Sequence, residues 1–206
     1  MKEAGGSDEE KRELIINAAL KQFAQNGYEK ASTNAIIKDA GVSKGLLFHY
    51  FENKKQLYVF LFQHSAELIL QELMKRLDKD QTDFFEKIKC SQNIKLDIMS
   101  RYPEMFNFLK SAYYDSNGEV REEIKKYTNL DLKESMAMLF SNTDNSKFKP
   151  GISLKEAINI VIWTAEGFAE EVVRRNDDFD AKALADEFDG YLNILKRSLY
   201  KEESID

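Results

Sequence analysis

The sequence predicts an all-α protein of about nine helices, with an N-terminal three-helix domain that contains a helix-turn-helix and a longer C-terminal helical domain. Only two prolines and nine glycines interrupt its 206 residues, a composition that favours long helices over a β-sandwich. Apolar side chains recur at steps of three and four along most of the chain. Residues 33–51 carry the pattern of two short helices joined by one glycine. We expect the two domains to span residues 1–55 and 56–206.

The helix-turn-helix is predicted in the stretch TNAIIKDAGVSKGLLFHYF, residues 33–51. The Thr33 hydroxyl is expected to cap the first helix, and Gly41 to end it, because glycine adopts the left-handed stop conformation without steric cost. Ser43 is expected to cap the second helix. The apolar residues predicted to pack inward are Ile36, Ala40, Val42 and Leu47. A pair of helices of this kind places its second helix in the major groove of DNA.

Such a helix pair could also serve only to pack a core. Gly45, within the second helix, argues against this alternative, because a glycine there costs about 1 kcal/mol relative to alanine. A close approach of DNA to the helix backbone would explain the residue. The charge distribution agrees: residues 11–60 carry a net charge of +4 in a chain of net charge −6, so the helix-turn-helix is the basic part of an acidic protein.

The sequence of this segment resembles the TetR family of one-component transcriptional regulators, through AGVSKG followed by LFHYF and then NKKQL. The similarity covers roughly residues 10–60, and beyond them it rests on chain length and an all-helical tail. The resemblance implies a homodimeric, cytoplasmic repressor that binds a pseudo-palindromic operator and is released by a small-molecule effector. It also implies a DNA-facing surface made of Thr33, Ser43, Lys44, Gly45, Leu46, Phe48, His49, Tyr50 and Lys54.

Two of these positions depart from the usual residues of the family, which has threonine at position 46 and tyrosine at position 48. Leu46 can offer a base only apolar contact, and Phe48 lacks a hydroxyl that could reach a phosphate. These departures leave the operator sequence open, but not the mode of binding. Lys44 could donate to a guanine edge or to a phosphate, whereas Tyr50 and Lys54 are expected to position the DNA backbone.

The remaining helices follow from apolar periodicity and from start and stop signals. We expect helix 1 over residues 8–26, a fourth helix of about 25 residues after an Asn53 cap, and further helices over 83–100 and 119–141. Pro103 is expected in the first turn of the sixth helix. Ser153 and Glu156 predict a capping box that opens the eighth helix, and the ninth begins near residue 180.

The last two helices carry wide apolar faces, which indicate a four-helix bundle formed across a two-fold axis. The alternative is a hairpin of the two helices buried within its own domain. The residues predicted to form the dimer interface are Leu154, Ile158, Val161, Ala165, Phe168, Leu184, Phe188, Tyr191 and Leu195.

The aromatic residues of the C-terminal domain are more numerous than helix packing requires, which indicates an apolar pocket with a few polar groups. Any one of them could instead fill the core. The residues that we expect to bind an apolar or aromatic effector are His64, Phe85, Phe106, Tyr113, Trp163 and Glu166.

Other classes of function find little support in the sequence. There is no glycine-rich phosphate loop, no metal-ligand spacing and no nucleophile with an evident base, so we expect no enzyme, metal or cofactor. No apolar run approaches membrane-spanning length, and the single Cys90 excludes an internal disulfide. The main alternative is an all-α small-molecule-binding or adaptor protein whose helix-turn-helix no longer reads DNA.

Overall fold

The computed structural model describes residues 7–115, 117–175 and 181–205, apart from the side chains of residues 127–137, 173 and 181. Helices account for nearly all of the regular structure in these ranges, in agreement with the predicted fold class. Two short 3-10 helices, Asn145–Lys147 and Glu202–Ser204, flank the last two long helices. The α-helices are α1 Asp8–Lys30, α2 Thr33–Ala40, α3 Lys44–Phe51, α4 Lys54–Arg76, α5 Phe84–Arg101, α6 Pro103–Tyr114, α7 Gly118–Leu139, α8 Leu154–Arg175 and α9 Ala181–Leu199.

The chain forms two compact units. The first contains the residues up to Lys75 together with Asp97–Met136, and the second contains Arg76–Leu96 together with the residues from Ala137 onward. Helices α5 and α7 are each divided between the two units. The predicted domain boundary between residues 55 and 56 falls inside the first unit, and it stays a prediction.

Local capping explains where the short helices begin and end. The cap of α2 is Ser32 and not Thr33, since the Ala35 N–H donates to Ser32 Oγ at 3.4 Å and Thr33 is already helical. Gly41 ends α2 with φ of 66°, as predicted. Ser43 caps α3, as predicted, by accepting a hydrogen bond from the Leu46 N–H at 3.2 Å.

The end of α1 differs from the prediction. At Gly27 the backbone leaves the helical region, with φ of 66° and ψ of −179°, as the Asn-Gly signal indicates. The chain then makes a further turn to Lys30 instead of stopping at residue 26. This kink frees the N–H of Tyr28 from the helix, and that N–H donates to Asp115 Oδ2 at 3.1 Å.

Packing of α1 against α6 forms the core of the first unit. Phe23 on α1, Tyr58 on α4 and Phe108 on α6 are completely buried. Their rings meet edge to face, at 4.9 Å between Phe23 and Tyr58 and 5.1 Å between Tyr58 and Phe108. Such aromatic pairs contribute about 0.5–1.5 kcal/mol each beyond the burial of their area. Helix α6 is therefore packed in one core with α1 and α4, the helices on either side of the helix-turn-helix.

A second aromatic core ties the end of the chain to the start of α5. The Tyr200 hydroxyl accepts a hydrogen bond from the Phe84 N–H at 3.1 Å, and its ring lies 5.1 Å from that of Phe85. Phe148 pairs with Tyr200 through an isolated antiparallel bridge. Next to this core, the nearly buried Asp83 accepts from Lys147 Nζ at 2.8 Å, so the charge of Asp83 is compensated within the second unit.

Candidate nucleic-acid interface

The helix-turn-helix separates a buried face from an exposed one. The four residues predicted to pack inward are all buried, which confirms that part of the sequence analysis. On the outer side of α3, Lys44, Gly45 and His49 are exposed, and Leu46 and Phe48 are half-buried. Helix α3 thus has the solvent-facing surface that a recognition helix presents to the major groove.

Packing within the protein does not require the glycine in this helix. A Cβ atom built at Gly45 would lie 4.0 Å from Ser43 Oγ, which is an ordinary contact distance. An alanine there would fit and would raise the helix propensity. Beside it, Lys44 Nζ lies 5.9 Å from the centre of the Phe48 ring, so Phe48 holds the lysine loosely through a cation–π contact.

The two residues expected to position the DNA backbone also bind within the protein. The Tyr50 hydroxyl donates to the Asp8 carbonyl oxygen at 3.0 Å. The carboxylate side chain of Asp8 beside it raises the pKa of Tyr50. Lys54 Nζ donates to the Glu29 carbonyl oxygen at 3.0 Å and lies 4.9 Å from the centre of the Tyr28 ring. Burial lowers the pKa of Lys54. These contacts fix α3 and the start of α4 to both ends of α1.

Asn53 caps α4, because its Oδ1 accepts from the Gln56 N–H at 2.9 Å, as the sequence predicts. Thr33 is half-buried in the first turn of α2. Whether any of the nine predicted DNA-facing residues contacts DNA stays a prediction.

The structure adds a polar cluster that the sequence analysis did not identify, consisting of Tyr28, Tyr58, Asp115 and Glu119. Asp115 Oδ2 accepts from the Tyr28 N–H at 3.1 Å and from the Tyr58 hydroxyl at 3.2 Å. The Tyr28 hydroxyl donates to Glu119 Oε2 at 2.8 Å. Burial, together with the hydrogen bond to Glu119, raises the pKa of Tyr28 to about 12. Burial also raises the pKa of Tyr58, so both hydroxyls stay protonated donors at neutral pH.

This Asp115 cluster joins the end of α1 and the start of α4 to the segment between α6 and α7. Its hydrogen-bonded pairs are 57 to 91 residues apart in the chain, so no local spacing could reveal them. The one available signal was the glycine before Tyr28, which predicts a break that frees a backbone N–H. A carboxylate that binds two buried donors fixes α6 to the DNA-binding helices.

The residues predicted to bind an effector divide between the two units. In the first unit, the half-buried His64 stacks on Phe60 with ring centres 5.5 Å apart, Tyr113 is exposed, and Phe106 is half-buried. In the second unit, Phe85 is only 4% exposed within the aromatic core. Core packing is therefore enough to explain Phe85.

The other two predicted effector residues lie on α8. Trp163 is 65% exposed, and Glu166 is exposed one turn further along the helix. Both side chains therefore point away from the core of the second unit. Binding of an effector by any of the six residues stays a prediction.

Helices α8 and α9 pack on each other, and they still leave apolar side chains exposed. Val161 and Phe188 are buried, at 9% and 8% exposure, and the Phe168 ring lies 5.3 Å from that of Phe188. Of the other residues predicted at the interface, Tyr191 is 42% exposed. Those that are half-buried are Leu154, Ile158, Ala165, Phe168, Leu184 and Leu195. The predicted set thus mixes core positions with surface positions.

Among the described residues, no group of three or more His, Cys, Asp or Glu side chains has the geometry of a metal site. In the same ranges, no helix has the length and apolar character needed to span a bilayer.

A solvent-facing recognition helix on a small helical base, followed by a helical C-terminal region, defines a helix-turn-helix regulator. Residues 15–59 match the family of bacterial regulatory proteins, tetR family. The chain is 23% identical over 171 residues to the fatty acid metabolism regulator protein of Bacillus subtilis (strain 168), covering 83% of this chain and 88% of that protein. It is 33% identical over 106 residues to the probable acrEF/envCD operon repressor of Escherichia coli (strain K12), covering 50% of this chain and 47% of that protein.

Solved structures have the same fold. The fatty acid degradation regulator FadR from Bacillus halodurans superposes with a TM-score of 0.71 at 23% identity, covering 88% of this chain and 97% of that one. FadR from Bacillus subtilis, in complex with stearoyl-CoA, gives a TM-score of 0.66 at 22% identity, covering 89% and 97%. Residues 15–59 are therefore a DNA-binding domain of the tetR family of bacterial regulatory proteins, and the relatives and neighbours that match most of the chain are transcriptional regulators with the same fold.

Proposed function

We propose that the protein is a ligand-responsive repressor that binds a pseudo-palindromic operator as a homodimer. The observation that carries the proposal is the exposed face of α3, with Lys44, Gly45 and His49 outermost, in a domain that matches the TetR family. Lys44 donates to a guanine edge or a phosphate, and Gly45 allows the helix backbone to approach the DNA closely. Leu46 supplies an apolar contact, for example to a thymine methyl group.

The proposed dimer forms through the outer faces of α8 and α9. Trp163 is 65% exposed, Ile194 53% and Tyr191 42%, and exposed apolar side chains of this size favour burial against a partner. A Cβ atom built at Gly167 or Gly190 would meet nothing within 4 Å in the single chain. Each glycine costs the helix about 1 kcal/mol relative to alanine. Close approach of a second copy of α8 and α9 explains why glycine stands there.

The proposed effector is a long-chain acyl compound. Two observations support this class: a relative that matches 83% of the chain is named a fatty acid metabolism regulator, and a structural neighbour holds stearoyl-CoA. The aromatic and aliphatic composition of the C-terminal helices suits an apolar chain. The repressor named among the relatives supports release from DNA as the response, over activation.

The proposed signal passes through α6. Helix α5 leads directly into α6 through Tyr102, and α6 shares the Phe23, Tyr58 and Phe108 core with the DNA-binding helices. A shift of α6 would have to move α1 or break the hydrogen bonds of Asp115, because close-packed cores do not deform continuously. The effector therefore changes the populations of two discrete arrangements of the DNA-binding helices.

The test is a DNA-binding titration with the full chain. Operator fragments can be selected from random duplexes, and DNA binding is then measured with and without stearoyl-CoA, alongside sedimentation of the free protein. We expect a dimer that binds a two-fold symmetric site and is released by the acyl compound. Binding of stearoyl-CoA without binding of any duplex would support the adaptor alternative. A monomer at micromolar concentration would exclude the proposed dimer.

A further inference from the structure

A recess of about 420 Å³ lies within the first unit, beside the end of the recognition helix α3. Its walls come from α1, the last turn of α3, the first half of α4 and one residue of α7. The residues of the recess that bear on its chemistry are Arg12, Tyr50, Phe51, Lys55, Phe60 and Glu123. Since Tyr50 is one of the residues predicted to face DNA, the recess adjoins the proposed DNA interface.

The aromatic wall of the recess holds the half-buried Arg12 in place. The guanidinium carbon of Arg12 lies 4.7 Å from the centre of the Phe60 ring and 5.9 Å from that of Phe51. Arginine stacks on aromatic rings through its face, which leaves the N–H groups at its edge able to donate. Because the rings already restrict the side chain, little further ordering is needed when an acceptor binds.

The protein itself offers Arg12 no acceptor. Among the described residues, none accepts a hydrogen bond from Arg12 and none forms an ion pair with it. The other cation of the recess is compensated, because Lys55 Nζ lies 3.5 Å from Glu123 Oε1. Glu52 also lines the recess, but it is exposed and solvent screens its charge. The recess therefore presents a fixed guanidinium with open N–H donors.

We propose that Arg12 binds a phosphate group at this recess through two parallel N–H donors. The planar fork of a guanidinium matches two oxygens of a phosphate, and such charge-assisted pairs are among the strong hydrogen bonds of proteins. Two sources can supply the phosphate: the backbone of the DNA that α3 contacts, or a free phosphate compound that enters the recess. The position beside Tyr50 favours the DNA backbone, and for this source the inference rests on the proposed function.

The first arm of the experiment measures binding of the full chain to the selected operator and to a random-sequence duplex over a series of salt concentrations. The slope of log K against log salt falls by about 0.9 for each phosphate contact that is lost. We expect Arg12→Met to lower the slope by this amount for each bound copy of the chain, and equally on both duplexes, because a phosphate contact reads no base. Arg12→Lys keeps a point charge and should keep most of the slope.

The matched control is Lys21→Met. It removes the same charge from an exposed position on the same helix, about 14 Å further along the axis, and should keep the wild-type slope. A melting curve accompanies each variant, because Arg12→Met also loses its contacts with two rings. A partly unfolded variant has a lower apparent affinity but the same slope, so the slope separates a phosphate contact from a structural role.

The second arm measures melting of the protein without DNA, in inorganic phosphate and in chloride of equal ionic strength. A phosphate that enters the recess would stabilise the wild type by mass action and leave Arg12→Met behind. Exclusion of phosphate from the protein surface stabilises any folded protein, so the difference between the wild type and Arg12→Met is the quantity that counts. If the DNA backbone is the source, we expect the two proteins to gain equally.

The two arms together assign the source of the phosphate or overturn the inference. A lower slope for Arg12→Met assigns Arg12 to the DNA backbone. An unchanged slope, with extra stabilisation of the wild type by phosphate, assigns Arg12 to a free phosphate compound. If the slope is unchanged and phosphate stabilises both proteins equally, Arg12 only packs on the two rings and the inference is wrong. If the wild type binds no duplex, the proposed function fails and the second arm alone decides the inference.

Discussion

Lys44 at the start of α3 and Lys54 at the start of α4 are two lysines with different surroundings. Lys44 is exposed and makes only a 5.9 Å contact with the Phe48 ring. Lys54 is half-buried and donates to the Glu29 carbonyl oxygen. The first is available for a base or a phosphate, whereas the second holds α4 to the end of α1 and can reach DNA only as part of that contact.

The Lys44→Ala and Lys54→Ala variants should therefore lose DNA binding in different ways. Loss of Lys44 should weaken binding to the selected operator by about 1–3 kcal/mol if the contact to guanine is bidentate, with little effect on random DNA. Loss of Lys54 should weaken binding to every duplex, flatten the salt dependence and lower the free energy of unfolding by about 1 kcal/mol. Titrations on both DNAs at several salt concentrations, with a melting curve for each variant, measure these effects. Equal losses on both DNAs for both variants would refute this division of roles.

Individual residues differ in how well the sequence predicted them. Gly41, Ser43 and Asn53 were predicted correctly, because a cap depends on atoms within four residues of it. Ser32 was missed as the cap of α2, because the hydroxyls of Ser32 and Thr33 are adjacent and either could cap the helix. Which of them does so depends on where the backbone becomes helical, and the sequence does not show this. Asp115 could not be predicted, because its donors are 87 and 57 residues away and only the packing of α1 on α6 brings them together.

Among the elements, α8 and α9 show what periodicity predicts and what it leaves open. The apolar steps of three and four identified both helices, with the capping box of Ser153 and Glu156 at the start of α8. Periodicity alone could not say which apolar residues face the protein's own core. The structure buries Val161 and exposes Trp163 and Ile194, so a charge at Val161 would disrupt the fold before it could report on association.

The glycine on the outer face of α9 gives a sharper test of the dimer. Gly190→Ala should raise the helix propensity by about 1 kcal/mol and stabilise the single chain, while the added methyl group weakens association of two copies. Ile194→Glu should abolish association, because it would bury an unpaired charge in the interface. Sedimentation at several concentrations measures both effects.

The matched control for this test is Gly118→Ala at the start of α7, where an added Cβ atom also meets nothing within 4 Å. We expect this variant to associate like the wild type. If Gly190→Ala and Ile194→Glu also leave association unchanged, α8 and α9 do not form the interface through these faces.

For the whole molecule, the proposed function requires a coupling between effector and DNA, and we propose that it passes through the first unit. The Asp115 cluster is the candidate connection, because it joins the end of α6 to α1 and α4 through the buried Tyr28 and Tyr58. Sequence reasoning identified the two ends of this path, the helix-turn-helix and the helical tail. It did not identify the Asp115 cluster, since that depends on contacts between distant segments.

Tyr58→Phe is the most conservative substitution that breaks the Asp115 cluster, because it removes one hydroxyl and keeps a ring that is fully buried. The loss of a buried hydrogen bond, with Asp115 Oδ2 keeping its bond to the Tyr28 N–H, should cost about 1 kcal/mol of stability. We expect the effect of stearoyl-CoA on DNA affinity to shrink from the typical 1–3 kcal/mol toward zero, while DNA affinity without ligand changes little.

The coupling can be measured from both directions. Linkage requires that stearoyl-CoA lowers DNA affinity by the same factor as DNA lowers the affinity for stearoyl-CoA, so each variant provides two independent values of one quantity. Lys55→Met is the control within the same unit, since it breaks only the half-exposed ion pair with Glu123 at 3.5 Å, which contributes little to stability. We expect Lys55→Met to keep the wild-type coupling in both directions. If Tyr58→Phe also keeps it, while both ligands still bind, the Asp115 cluster only stabilises the fold and the signal takes another path.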